Sequence, residues 1–113
     1  MNRIIKFSEL QKSGIGLEFE GHKFDNIGTT FIIVNAAPGD GVKLHCHPYT
    51  EIFIVQEGTG LFTIGGKEMI ITGGQIIIVP PEVPHKFINT GKSNLQQIDI
   101  HQSPKFITKW LED

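Results

Sequence analysis

The chain has 113 residues, with ten Lys and Arg against twelve Asp and Glu, for a net charge of −2. That length supports one domain with its own core and leaves no room for a second. No broad basic field is present, so neither nucleic acid nor an anionic membrane is an expected partner. The single cysteine, Cys46, rules out a disulfide framework within the chain and fits a reducing compartment, the cytoplasm.

Charge at Arg3 and Lys6 comes too early for the apolar core of a secretory signal. The longest apolar run, residues 76–79, is too short to cross a bilayer. Thirteen glycines and six prolines separate short runs rich in Ile, Val, Phe and Thr. That punctuation predicts an all-β domain, a small antiparallel barrel or sandwich.

In chain order, residues 4–12 predict a short strand or turn, and 16–20 a strand. The β-branched and aromatic run 29–36 predicts another strand. Pro38-Gly39-Asp40-Gly41 is a turn. Alternation over 42–47 predicts a strand that ends at Pro48, and 51–56 the next. Gly65-Gly66 between runs 61–64 and 67–72 predicts a tight hairpin, because primed turns need positive φ. Residues 75–79 form a strand stopped by Pro80-Pro81, and 85–89 and 95–101 are the last two strands. Beyond them, Ser103-Pro104 offers an N-cap and first-turn proline, and Phe106, Ile107, Trp110 and Leu111 recur at helical spacing. A short helix over 104–111 is therefore predicted, packed on the outside of the barrel.

Chemistry concentrates in one short stretch. His45 and His47 alternate along a strand and so share a face, with Cys46 pointing the other way. Glu51 has the same parity. Two imidazoles and a carboxylate make a first shell for a divalent transition metal. His85, which follows the proline-stiffened segment 80–84, is the candidate fourth ligand. The mixed set suits Fe, Mn, Ni, Cu or Zn. It does not suit Mg or Ca, which prefer oxygen, and without thiolate it does not suit a purely structural zinc.

Gly39, His45, His47, Glu51 and Gly58 stand at the spacing of a first cupin motif, and Gly74, Pro80, His85 and Asn89 at that of a second. The chain thus resembles the cupin superfamily over residues 39–89. One position departs: Glu82 stands where the second motif usually carries glycine. A strained conformation or a different turn type is expected there. The resemblance implies a single jelly-roll β-barrel domain spanning 1–113, with one metal ion inside held by His45, His47, Glu51 and His85. It also implies that the last strand lines the cavity. Asp99 then faces inward as a candidate acid, base or orienting group, Gln97 lies deeper as a neutral hydrogen-bonding partner, and His101 lies nearer the rim. By parity, Phe53 and Phe87 wall the pocket. Tyr49, in the turn between ligands, either gates the mouth or packs.

Cupins include dioxygenases, decarboxylases, isomerases, sugar-modifying enzymes, storage proteins and sensor domains, so fold alone leaves function open. The expectation is a metal-dependent enzyme acting on a small organic molecule, with a non-catalytic binding or sensing module as the alternative. Strands 52–55 and 75–79 are apolar on both faces. One face fills the core, and the other needs cover from the terminal helix, the other sheet or a second subunit. A homodimer is the expected assembly.

Overall fold

A computed structural model describes residues 2–113. The strands are β1 (Gln11–Ser13), β2 (Gly16–Phe19), β3 (Thr30–Ala36), β4 (Gly41–Cys46), β5 (Glu51–Glu57), β6 (Thr59–Ile64), β7 (Lys67–Thr72), β8 (Gln75–Val79), β9 (His85–Asn89), β10 (Leu95–His101) and β11 (Lys109–Trp110). Single turns of 3₁₀ helix lie at Phe7–Glu9 and Gly21–Lys23. No helix is long and apolar enough to cross a membrane among the described residues.

All pairings are antiparallel and form two sheets. One has the order β1-β2-β3-β10-β5-β8, and the other the order β11-β4-β9-β6-β7. The predicted hairpin forms at Gly65-Gly66, where both residues take positive φ, 59° and 80°. The sheets face each other across a core of Val34, Phe53, Val55, Phe62, Val79, Phe87 and Leu95. Phe62 stacks on Phe87 at 5.2 Å, and Phe53 meets both edge-on. Period-two alternation produces this layer: β5 reads buried at Glu51, Phe53 and Val55 and half-buried at Ile52 and Ile54.

Two expectations are corrected. The sheets do not close into a barrel, because among the described residues no ladder joins the edge strands of one to the other. The architecture is an open two-sheet sandwich of jelly-roll type. The helix predicted over 104–111 is also absent, and residues 109–110 form β11 instead. A helix of two turns has little stability of its own. As an extended strap the tail satisfies more backbone groups. It pairs Lys109 with Cys46 and Trp110 with His45, and the Leu111 amide donates to the Leu44 carbonyl. The strap also covers an edge of the five-stranded sheet. Glu82 adopts φ +67°, the left-handed region that glycine favours, as its place in the second motif suggested. Its amide donates to the His47 carbonyl at 2.7 Å, tying the proline loop to the histidine pair.

Candidate metal centre

Strand register assembles two facing rows of side chains. In the five-stranded sheet, Trp110, His45 and His85 stand directly opposite one another on β11, β4 and β9. In the six-stranded sheet, His101 stands opposite Glu51 on β10 and β5, with Asp99 opposite Phe53 in the next inward pair. His47 lies just past the end of β4. His45, His47, Glu51 and His85 are all buried, and each offers a ligand atom within 4.8 Å of the others.

Outer hydrogen bonds decide which nitrogens face the centre. His45 Nδ1 lies 2.6 Å from the Lys43 carbonyl, His47 Nδ1 2.9 Å from the Ile107 carbonyl, and His85 Nδ1 2.9 Å from the Val83 carbonyl. A carbonyl only accepts, so each Nδ1 carries the proton. Each neutral ring then turns an Nε2 lone pair away from that bond, the arrangement that prepares histidine for a metal. Glu51 Oε1 is 3.0 Å from His47 Nε2 and 2.9 Å from His85 Nε2. These are acceptors facing an acceptor, and the buried His47 Nε2 has no aligned hydrogen-bond partner. A cation or extra protons must sit among them. Four buried ligand atoms within 4.8 Å of one another are close enough to share one ion. The four residues therefore fit a transition-metal ion.

The electrostatics agree. Burial pulls His45 down to about 4, with the neighbouring imidazoles adding to the effect, so the ring is neutral at physiological pH. Burial pushes the Glu51 carboxyl up, but hydrogen bonds from the imidazoles of His101, His47 and His85, when protons rather than a cation fill the centre, outweigh it and hold the group well below its usual range. Asp99 shows the opposite balance. Burial raises it well above the usual carboxyl range, and the charge on Glu51 adds to that. The Gln97 amide, donating to Asp99 Oδ1 at 2.8 Å, offsets only part.

A cavity of about 400 Å³ opens between the sheets beside this cluster. Phe53, Phe87 and Asp99 line it, together with His45, His47, Glu51 and His101. Gln97 is fully buried and lies outside the lining, behind Asp99, with its Oε1 unpartnered. Ile32 and Val34 extend the apolar wall, and the strap adds Phe106, Thr108 and Trp110. Those three carried no signal as site residues, because the strap's course over the mouth depends on pairing with β4. His101 and Tyr49 stand at the rim and mouth as expected, but their 2.6 Å contact joins residues 52 apart in sequence and left no local signal. Parity with Asp99 was the one available sign that His101 faces inward. Cys46 is buried, and His22 is a surface residue near Glu20.

Residues 32–101 match the cupin domain family. Among curated proteins, a protein of Methanocaldococcus jannaschii is 38% identical over 60 residues, covering 51% of this chain and 47% of that one. The HTH-type transcriptional activator RhaS of Escherichia fergusonii is 32% identical over 60 residues, covering 53% of this chain and 21% of its own. The polyketide synthase CurC of Streptomyces cyaneus is 31% identical over 68 residues, covering 59% and 44%. The chain thus spans less than half the length of these relatives. Among solved structures, a Klebsiella pneumoniae protein with a double-stranded β-helix domain superposes over 100% of both chains, with TM-score 0.78 and 20% identity. An oxalate oxidase superposes over 74% of this chain and 46% of its own, with TM-score 0.67 and 25% identity.

Proposed function

The chain belongs to the cupin family, and from that premise we propose that it is a metal-dependent enzyme acting on a small organic substrate held between the two sheets. The observation that carries this reading is the convergence of His47 Nε2, His85 Nε2 and Glu51 Oε1, with the Nδ1 of each imidazole committed to a backbone carbonyl. His45, His47, Glu51 and His85 would hold one divalent ion of Fe, Mn, Ni, Cu or Zn. When bound, it supplies Lewis acidity or redox chemistry.

The chain's own residues supply the rest. Phe53 and Phe87 exclude water and shape a pocket for a small, partly apolar molecule. Asp99, where burial favours the protonated form, stands to offer a proton to a substrate oxygen and to take one back, and Gln97 fixes its orientation. Oxygenation, isomerisation and decarboxylation all fit this set. The likeness to an oxalate oxidase makes oxalate a first substrate to test, although the cavity lining includes no Lys or Arg to hold a dianion.

The similarity to a transcriptional activator favours a second reading, a non-catalytic module that senses a small molecule or metal. Elemental analysis of wild type beside His47→Ala is the first test. Near-stoichiometric metal that the variant loses supports the site, and aerobic and anaerobic substrate screens then separate turnover from binding alone. A wild type that holds no metal after reconstitution rejects the metalloenzyme reading.

A further inference from the structure

Tyr49 and His101 sit beside the ligand cluster without a part in the function above. His101 is 3% exposed, and its Nε2 stands 3.1 Å from Glu51 Oε2. Its Nδ1 stands 2.6 Å from the Tyr49 hydroxyl. The direction of that short bond follows from where the phenol can place its one proton. The Ile107 amide, 3.4 Å away, is itself a donor. His47 Nδ1, 3.3 Å away, already carries the proton it gives to the Ile107 carbonyl. Neither can accept. His101 Nδ1 is the acceptor in reach, so the Tyr49 hydroxyl donates there, and a neutral His101 keeps its proton on Nε2.

His101 therefore has the opposite tautomer from its three neighbours. His45, His47 and His85 turn lone pairs inward, whereas His101 turns an N–H inward. We propose that Tyr49 sets His101 as a hydrogen-bond donor to Glu51 Oε2, so that Glu51 gives the metal Oε1 alone and His101 is a positioning residue, not a fifth ligand. This inference rests on the metal-centre reading above. His101 Nε2 is buried, and Glu51 Oε2 at 3.1 Å stands within hydrogen-bonding distance of it. A carboxylate held by its second oxygen occupies one coordination position instead of two. The second oxygen would then not compete with water or substrate for the ion.

Long-range proton–nitrogen NMR of the histidine rings tests this without turnover. It is run on metal-free wild type and Tyr49→Phe at about pH 8, above the ordinary His range, and again with Zn²⁺ added. The expected wild-type spectrum has His45, His47 and His85 protonated at Nδ1 and His101 at Nε2. Zn²⁺ should shift the Nε2 resonances of the first three and leave the His101 N–H in place. Tyr49→Phe should move the His101 proton toward Nδ1. A wild-type His101 protonated at Nδ1, or one that surrenders its Nε2 proton to Zn²⁺, overturns the inference and leaves the metal site standing. An unchanged His101 in Tyr49→Phe removes Tyr49 from it. No response of His45, His47 and His85 to Zn²⁺ overturns the metal reading itself, and this role with it.

Discussion

Asp99 and His45 are buried in the same cavity wall, yet they tie stability to pH in opposite senses. Asp99 titrates well above 3.8 in the fold. Its contribution is therefore intact below the unfolded value and is lost as pH rises toward the folded one. Asp99→Asn keeps the shape and removes that loss. Its urea midpoint relative to wild type should climb as pH rises above about 4, and a constant difference would show that Asp99 ionises normally. His45 is depressed from 6.5 to about 4. The fold keeps it neutral where the unfolded chain takes up a proton, so stability declines as pH falls through that window. Glu51, held low, loses its contribution only below 4.5, outside the upper part of that window. Between pH 6.5 and about 5, His45→Gln should therefore show a smaller drop in urea midpoint than wild type.

The loop between β8 and β9 holds a non-glycine residue in a glycine conformation. A left-handed L-residue costs roughly 1–2 kcal/mol, and a glycine in its place loses roughly 0.4–1 kcal/mol through the freer unfolded chain. Glu82→Gly should then stabilise by about 0.5–1 kcal/mol in equilibrium unfolding, and a destabilised variant would mean that the Glu82 side chain makes an offsetting contact. This strain was legible from the second motif, because a turn that usually takes glycine constrains whichever residue stands there. The four ligands were legible for a related reason: strand parity places His45 with His47, and motif spacing adds Glu51 and His85. The tail was not. Phe106, Ile107, Trp110 and Leu111 satisfy a helical period, but β4 lies some sixty residues upstream, and nothing local records that it offers an unpaired edge. Barrel closure is not legible either, since strand count and spacing are the same for a closed sheet and for two open ones.

On the scale of the whole molecule, the outer face of the six-stranded sheet is continuous and apolar. Ile98 and Ile100 on β10 flank Ile54 and Ile52 on β5, which flank Ile76 and Ile78 on β8. Ile76 and Ile78 are 65% and 66% exposed. The tail is committed to β4, and the other sheet packs on the inner face, so neither covers this patch. A second copy of the chain is the expected occupant, because an uncharged apolar face is complementary to itself. Sedimentation should show a dimer, and Ile76→Glu with Ile78→Glu should give a folded monomer; a wild type that sediments as a monomer removes this assembly. A different consequence follows from where the ligands come from. His45 and His85 belong to one sheet and Glu51 to the other, and no ladder joins the two. An ion bound by all of them is a clasp across the sandwich, and parting the sheets means releasing it. At a free concentration one hundred times Kd, that clasp adds about 2.7 kcal/mol to the unfolding free energy. Added Zn²⁺ should raise the thermal midpoint of wild type and leave His47→Ala unmoved, and a chelator should reverse the gain. An ion bound there would then also hold the two layers together, so metal supply would set the unfolding free energy of the chain.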